Sequence, residues 1–220
     1  MERKDLNHLI ALLPKHPGIL EKERYLNAAV LIPLLETDGE FSFLFEKRAA
    51  NIRQGGEISF PGGQFDPGLD PDCRAAAIRE TMEEIGISRN KIHIQGRMDT
   101  FISPRGITID SFLATLDISG LDDLTPDSAE VEDVFLLPIS WFENNPPKEY
   151  RLELEIKPKC IDENGREIEL LPVQELGLPP HYAKPWPGLE HRVFVYQTPT
   201  AVIWGMTASL IQAMVSLLQA

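Results

Sequence analysis

The sequence predicts an α+β or α/β fold built on a mixed sheet, and three observations carry that prediction. Apolar runs at 27–34 and 41–46 flank Thr37-Asp38-Gly39-Glu40, the signature of a hairpin. One strongly patterned helix occupies 71–85. Strand-like runs near 91–101, 107–117 and 132–138 then outnumber the helices, which suits a sheet covered by a few helices and excludes a bundle.

The remaining elements follow in order. Residues 5–13 pattern as a short amphipathic helix, ended by Pro14 and Pro17-Gly18. A glycine-rich stretch runs from Gly55 to Gly68 and feeds the 71–85 helix. That helix has Asp70 as its expected N-cap, Pro71 at the first helical position and Gly86 as its stop. Ala75, Ile78, Met82 and Ile85 recur at spacings of three, four and three, so they form the stripe expected to face the core. Residues 149–158 and 166–171 read as a second hairpin around Asp162-Glu163-Asn164-Gly165. The proline-rich segment 172–188 reads as loop, followed by a strand at 191–197 and a final helix. Residues 201–218 are apolar enough to raise a membrane question. Ser209, Gln212, Ser216 and Gln219 answer it by placing a polar stripe along one helical face, which predicts a mostly buried helix or a dimer face.

The chain has 220 residues, enough for one enlarged domain with a substantial core. We expect a helical extension over 1–24 and one domain over 25–220 carrying a proline-rich insertion at about 145–190. The formal charge of −13 argues against duplex nucleic acid as a partner, since no general basic face is available. It leaves phosphorylated small molecules open, because cations and local arginines can reverse the field within one pocket. Cys73 and Cys160 form no paired metal-thiol spacing, and the N-terminus lacks an apolar signal core; a reducing, cytoplasmic setting is expected.

The chemistry is expected on the 71–85 helix. Glu80, Glu83 and Glu84 fall within an arc of about 100° opposite the apolar stripe, and Arg79 lies one turn before Glu83. Three carboxylates so close raise one another's pKa unless a cation compensates, and a hard divalent ion such as Mg²⁺ or Mn²⁺ suits oxygen ligands. A solvated acidic face is the alternative. Phe60-Pro61-Gly62-Gly63 favours the metal reading, because glycines let backbone approach a ligand just before a helix N-terminus.

These residues resemble the Nudix box: Gly, five residues, Glu, seven residues, then Arg-Glu-apolar-x-Glu-Glu-x-Gly-apolar. The second half reads Arg79-Glu80-Thr81-Met82-Glu83-Glu84-Ile85-Gly86-Ile87, with Thr81 at the apolar position. The first half starts at Gly63 and is two residues longer than usual, so Asp66, Asp70 or Asp72 stands for its Glu. Flanking segments are similar to the coenzyme A diphosphatase subgroup. They are Arg48-Ala49-Ala50-Asn51-Ile52-Arg53 with Gly56 to Gly63, Glu130-Val131-Glu132-Asp133-Val134-Phe135 before Pro138, and Ile203-Trp204-Gly205-Met206-Thr207-Ala208. In the first, the gap is one residue short and Ala49 replaces a Ser.

The resemblance implies an α/β/α sandwich with a catalytic loop-helix, and metal-dependent hydrolysis of a diphosphate in a nucleotide substrate. Coenzyme A, giving 4′-phosphopantetheine and 3′,5′-adenosine bisphosphate, is the first expectation. NADH or ADP-ribose is the alternative, and a catalytically silent binding module the third. By position, Glu80, Glu84 and Glu83 are the expected metal ligands, with the Gly62 carbonyl completing the shell and Gly63 against the substrate. Arg79 is expected to orient a carboxylate. The general base is either a box glutamate such as Glu80 or Glu83, or a glutamate of a later loop, for which Glu130 is the candidate. Arg48 and Arg53 either pair with substrate phosphates or form structural salt bridges, with Arg105 a weaker candidate. His181, Tyr182, Trp186 and His191 could stack on an adenine. A homodimer through the apolar C-terminal helix is the expected protein partner, and no membrane or nucleic acid is expected.

Overall fold

The computed structural model describes residues 3–15 and 18–219, so Pro17 of the expected first loop lies outside the described residues. In chain order the elements are α1 (Arg3–Leu12), β1 (Leu26–Thr37), β2 (Glu40–Arg48), β3 (Ile58–Ser59), β4 (Gly62–Gln64), α2 (Cys73–Ile85), β5 (Ile92–Arg97), β6 (Phe101–Ser103), β7 (Ile107–Leu116), β8 (Val131–Pro138), α3 (Ile139–Asn144), β9 (Lys148–Leu152), β10 (Glu155–Ile156), β11 (Lys159–Ile161), β12 (Glu167–Glu169), β13 (Trp186–Pro187), β14 (His191–Gln197), β15 (Val202–Trp204) and α4 (Gly205–Leu218). The chain divides into two compact units: Met1–Gly56 with Phe60–Leu137, and Glu57–Ser59 with Pro138–Ala220. The sequence suggested one domain over 25–220, and the division falls at the start of the segment it marked as an insertion.

In the first unit β1 is the organising strand. It runs parallel to β7 over Leu26–Leu34 and antiparallel to β2 and β4. β5 and β6 pair antiparallel with β7, and β8 pairs with β2, so the sheet is mixed as expected. The β1–β2 hairpin closes with Thr37 opposite Glu40, and both turn residues take positive φ, Asp38 at 53° and Gly39 at 80°. That is the primed turn geometry an Asp-Gly pair favours, because its twist matches that of the strands.

α2 packs on this sheet. Ala76, Ala77, Ile78 and Ile85 join Ala29, Leu31, Leu44, Phe112 and Ala114 in one buried cluster. Two expectations change here. The N-cap is Asp72, whose carboxylate accepts from the Ala75 amide, and Asp70 is instead buried elsewhere. The buried face also differs from the predicted stripe. Ile78 and Ile85 are buried, but Met82 is 37% exposed, while Thr81 and Glu84 face inward. The inner face of this helix is part apolar and part polar, which a pattern based on hydrophobicity alone misplaces by a residue or so. Thr81 satisfies its hydroxyl by donating to the Ala77 carbonyl. A groove of about 670 Å³ runs beside the exposed Met82, lined also by Arg74, Ile78 and Arg89. Behind the helix N-terminus, the buried Asp110 carboxylate receives Lys22, Arg97 and Thr100.

In the second unit β14 lies between β15 and β9, and α4 packs against β14 and β15. The expected pairing of 149–158 with 166–171 gives way to three separate pairings, one of them β10 with β13. β9 joins β14, whereas β11 and β12 form the short hairpin around Asp162-Glu163-Asn164-Gly165. α4 buries Ala208, Leu210, Ile211, Met214 and Val215, and its predicted polar stripe is on the wetter side. Among the described residues no helix is long and apolar enough to cross a membrane. Trp204 of the Ile203–Ala208 signature is 50% exposed. Thr207 of the same signature donates its hydroxyl to the Ile58 carbonyl.

Candidate active site

The site residues all lie in the first unit. β4 presses the Gly62-Gly63 backbone against β1, with Gly62 opposite Val30 and Gly63 opposite Ala29. Gly62 has φ 152°, and a side chain there would strike the Ala29 carbonyl and the Val30 backbone. A side chain on Gly63 would strike the Glu80 carboxylate. Glycine at 62 thus lets the loop lie against β1, and glycine at 63 leaves room for the Glu80 carboxylate.

Helix α2 brings its three glutamates to this loop with different exposure. Glu84 is 2% exposed, and its Oε2 accepts a 2.7 Å hydrogen bond from the Gly62 amide. The expectation placed the Gly62 carbonyl at the site; the group that meets a glutamate is its N–H. Glu80 is partly exposed and Glu83 is more so. Gly86, at φ 67°, ends the helix where a side chain would strike Thr125. The loop between β7 and β8 is tied on there, as Asp127 donates its amide to the Glu84 carbonyl.

Two arginines hold the carboxylates. Arg79 Nη1 lies 2.8 Å from Glu80 and 3.0 Å from Glu83. Its other nitrogens, Nε and Nη2, each donate at 2.9 Å to the two oxygens of buried Asp70. Asp70, not Asp66 or Asp72, is thus the carboxylate that the longer first half brings to Arg79. Asp66 helps by donating its amide to Asp70. On the other side Arg48 Nη1 lies 3.5 Å from Glu84 and 3.4 Å from Glu46. Glu46, fully buried on β2, was not expected in the site. The signal was available: Glu46 follows inward-facing Leu44 at strand spacing, so a charge stands at a core position.

The electrostatics are those of a site short of positive charge. Burial raises the Glu84 pKa, and the neighbouring Glu46 and Glu80 raise it further against the Gly62 amide and Arg48. Burial also raises Glu80, with repulsion from Glu83 and Glu130 opposing Arg79. Glu130 is therefore close enough for its charge to act on Glu80, and its carbonyl receives the Ala49 amide. That loop also holds Arg53, whose carbonyl accepts from Arg48 Nε while its side chain is exposed. Arg105 lies apart, on the exposed β6–β7 turn. In the second unit Tyr182 meets His181 at a tilt and Trp186 edge to face, with ring centroids 4.1 and 5.3 Å apart, and His191 sits on β14.

Such a donor set fits a hard divalent ion. It consists of carboxylate oxygens, and a cation would oppose the upward pKa shifts of Glu80 and Glu84. Among the described residues no three His, Cys, Asp or Glu side chains converge as a ready cage, and Arg48 and Arg79 lie against the Glu84 and Glu80 carboxylates.

The NUDIX domain family model matches residues 25–191. The chain belongs to the Nudix family. This Nudix chain is 36% identical over 121 residues to human mitochondrial coenzyme A diphosphatase NUDT8, covering 54% of this chain and 51% of that one. It is 30% identical over 115 residues to mouse peroxisomal coenzyme A diphosphatase NUDT7, covering 52% and 48%. To the Nudix hydrolase NudL of Photorhabdus laumondii it is 27% identical over 215 residues, 97% of this chain and 96% of that one. The chain spans about half the length of the first two. A Caenorhabditis elegans Ap4A hydrolase structure aligns at a TM-score of 0.43 and 25% identity, over 51% of this chain and 80% of that one.

Proposed function

We propose that this chain is a metal-dependent Nudix hydrolase that cleaves the diphosphate of coenzyme A, giving 4′-phosphopantetheine and 3′,5′-adenosine bisphosphate. The observation that carries the proposal is the meeting of Glu80 and Glu84 with the Gly62-Gly63 loop, flanked by Arg48 and Arg79. The flanking Arg48–Gly63, Glu130–Pro138 and Ile203–Ala208 segments and the similarity to two coenzyme A diphosphatases support the choice of substrate.

Glu80 and Glu84 would hold the ion, with Glu83 beside them, and Mg²⁺ or Mn²⁺ suits these ligands. Such an ion neutralises phosphate oxygens and activates water. Arg79, fixed by Asp70, orients Glu80 and Glu83. Arg48 and Arg53 pair with the substrate phosphates, which a guanidinium fits bidentately, and Gly63 lets the diphosphate approach the loop. Water forms the new bond to one phosphorus, the bond from that phosphorus to the bridging oxygen breaks, and Glu130 takes the proton water releases.

Residues 25–220 form the hydrolase domain of this reading and 1–24 its extension. A cytoplasmic, reducing setting belongs to it, with Cys73 and Cys160 free. A homodimer also belongs to it, although α4 spends most of its apolar face inside its own unit. Incubation with Mg²⁺ or Mn²⁺ and coenzyme A, NADH, ADP-ribose or nucleoside triphosphates, with product identification, tests the proposal. Turnover of NADH or ADP-ribose but not coenzyme A removes the substrate and keeps the reaction class. No turnover of any diphosphate removes the enzyme.

A further inference from the structure

β9 ends the three-stranded sheet of the second unit, with β14 on one side. All five of its residues are exposed, Tyr150 at 45% and Leu152 at 53%. Such an edge offers backbone groups to another strand, and proteins usually blunt it with proline, bulges or charged side chains, so the three charges of β9 admit only a strand whose own charges match them. Lys148-Glu149-Tyr150-Arg151-Leu152 contains no proline, and its register with β14 is regular from Lys148 to Leu152.

The order of its charges suits one strand in particular. When β9 is laid antiparallel against a copy of itself about Tyr150, Glu149 stands opposite the partner's Arg151, and the two-fold axis repeats the pair. Lys148 then stands opposite the partner's Leu152, and the two Tyr150 rings meet at the axis. Directly opposed side chains share one face of a sheet at about 4.5–5.5 Å, where opposite charges and aromatic pairs each stabilise. Within one chain Arg151 lies 3.1 Å from Glu149 and 3.3 Å from Glu190, but these groups are exposed and contribute little. A chain of charge −13 repels its own copy, so self-association needs a local match of this kind.

We propose that β9 pairs antiparallel with the β9 of a second copy, centred on Tyr150, to form a symmetric homodimer whose sheet runs on from one chain into the other. The contact is isologous, so it closes at two copies. It is small, so the association is a weak one. It uses none of the residues placed at the Nudix site, and its test does not read turnover.

Sedimentation equilibrium of the full chain across micromolar concentrations tests it. The mass rises from 24.7 kDa towards twice that value as concentration increases. Arg151→Glu, which sets like charges across the seam twice, raises the dissociation constant at least about tenfold. Glu149→Arg does the same by the opposite sign and serves if the first variant does not fold. The double variant Glu149→Arg/Arg151→Glu restores opposite charges and returns association towards that of the unaltered chain. A chain that stays monomeric, single variants that dimerise as well as the parent, or a double variant as weak as the singles would each overturn the proposal.

Discussion

The Glu84 carboxylate accepts a 2.7 Å hydrogen bond from the Gly62 amide, and this contact fastens the glycine loop to the glutamate helix. Glu84 is thereby held beside Glu46, with Arg48 between their charges. Glu84→Gln keeps the shape of the side chain and removes the charge. We expect kcat to fall by at least about 10²-fold, the scale of a group that stabilises developing charge. Thermal unfolding should show no loss of stability, because repulsion with Glu46 is relieved. Near-normal turnover would take Glu84 out of the metal shell.

The raised Glu84 pKa sets a pH dependence for the metal-free protein. The folded state holds the Glu84 proton to higher pH than the unfolded state, so the folded state binds more protons in that interval. Stability from this group is present below the ordinary value of 4.5 and is lost as pH rises towards the raised folded value. Denaturant titrations in a chelator should show that decline, and Mg²⁺ should reduce it. A flat profile without metal would mean that the carboxylate is not burdened as described.

Asp70 contributes with the opposite sign. Hydrogen bonding from Arg79 lowers its pKa, so its contribution is present above 3.8 and is lost as pH falls through the lower folded value. Asp70→Asn should cost about 2 kcal/mol, the scale of a hydrogen bond between charged groups. It should also lower kcat, since Arg79 is no longer fixed towards Glu80 and Glu83. Unchanged kinetics would leave Asp70 a purely structural partner.

The two glycines separate packing from chemistry. Gly62→Ala meets backbone atoms of β1 at a positive φ, so lowered stability should dominate. Gly63→Ala meets the end of the Glu80 side chain, which can move. We expect a smaller shift in Tm and a large loss of kcat. The reverse ranking would mean that Glu80 is not placed by this loop.

Arg53 projects from its loop into solvent. Arg53→Ala should raise KM by about tenfold or more, for a lost charge-assisted contact to phosphate, with kcat nearly kept and Tm unchanged. A fall in kcat without a change in KM would move Arg53 from binding to the chemical step.

The sequence by itself determined the elements whose cause is local. Asp38-Gly39 closes its hairpin because few other pairs adopt two positive φ values. Gly86 ends α2 for the same kind of reason, and Arg79, Glu80, Glu83 and Glu84 lie within one turn or so of helix wherever that helix is placed. What depends on strands distant in sequence was decided by the tertiary structure. Glu46 and Glu84 meet because β2 and α2 bury neighbouring surfaces, and Asp70 takes Arg79 where local pattern made it a cap. The inward turn of Glu84 could not be read from hydrophobic periodicity, which assigns charge to the solvent side. The packed loop, with its Gly62 amide and nearby Arg48, offsets part of the cost of burying that carboxylate, and the rest shows as its raised pKa.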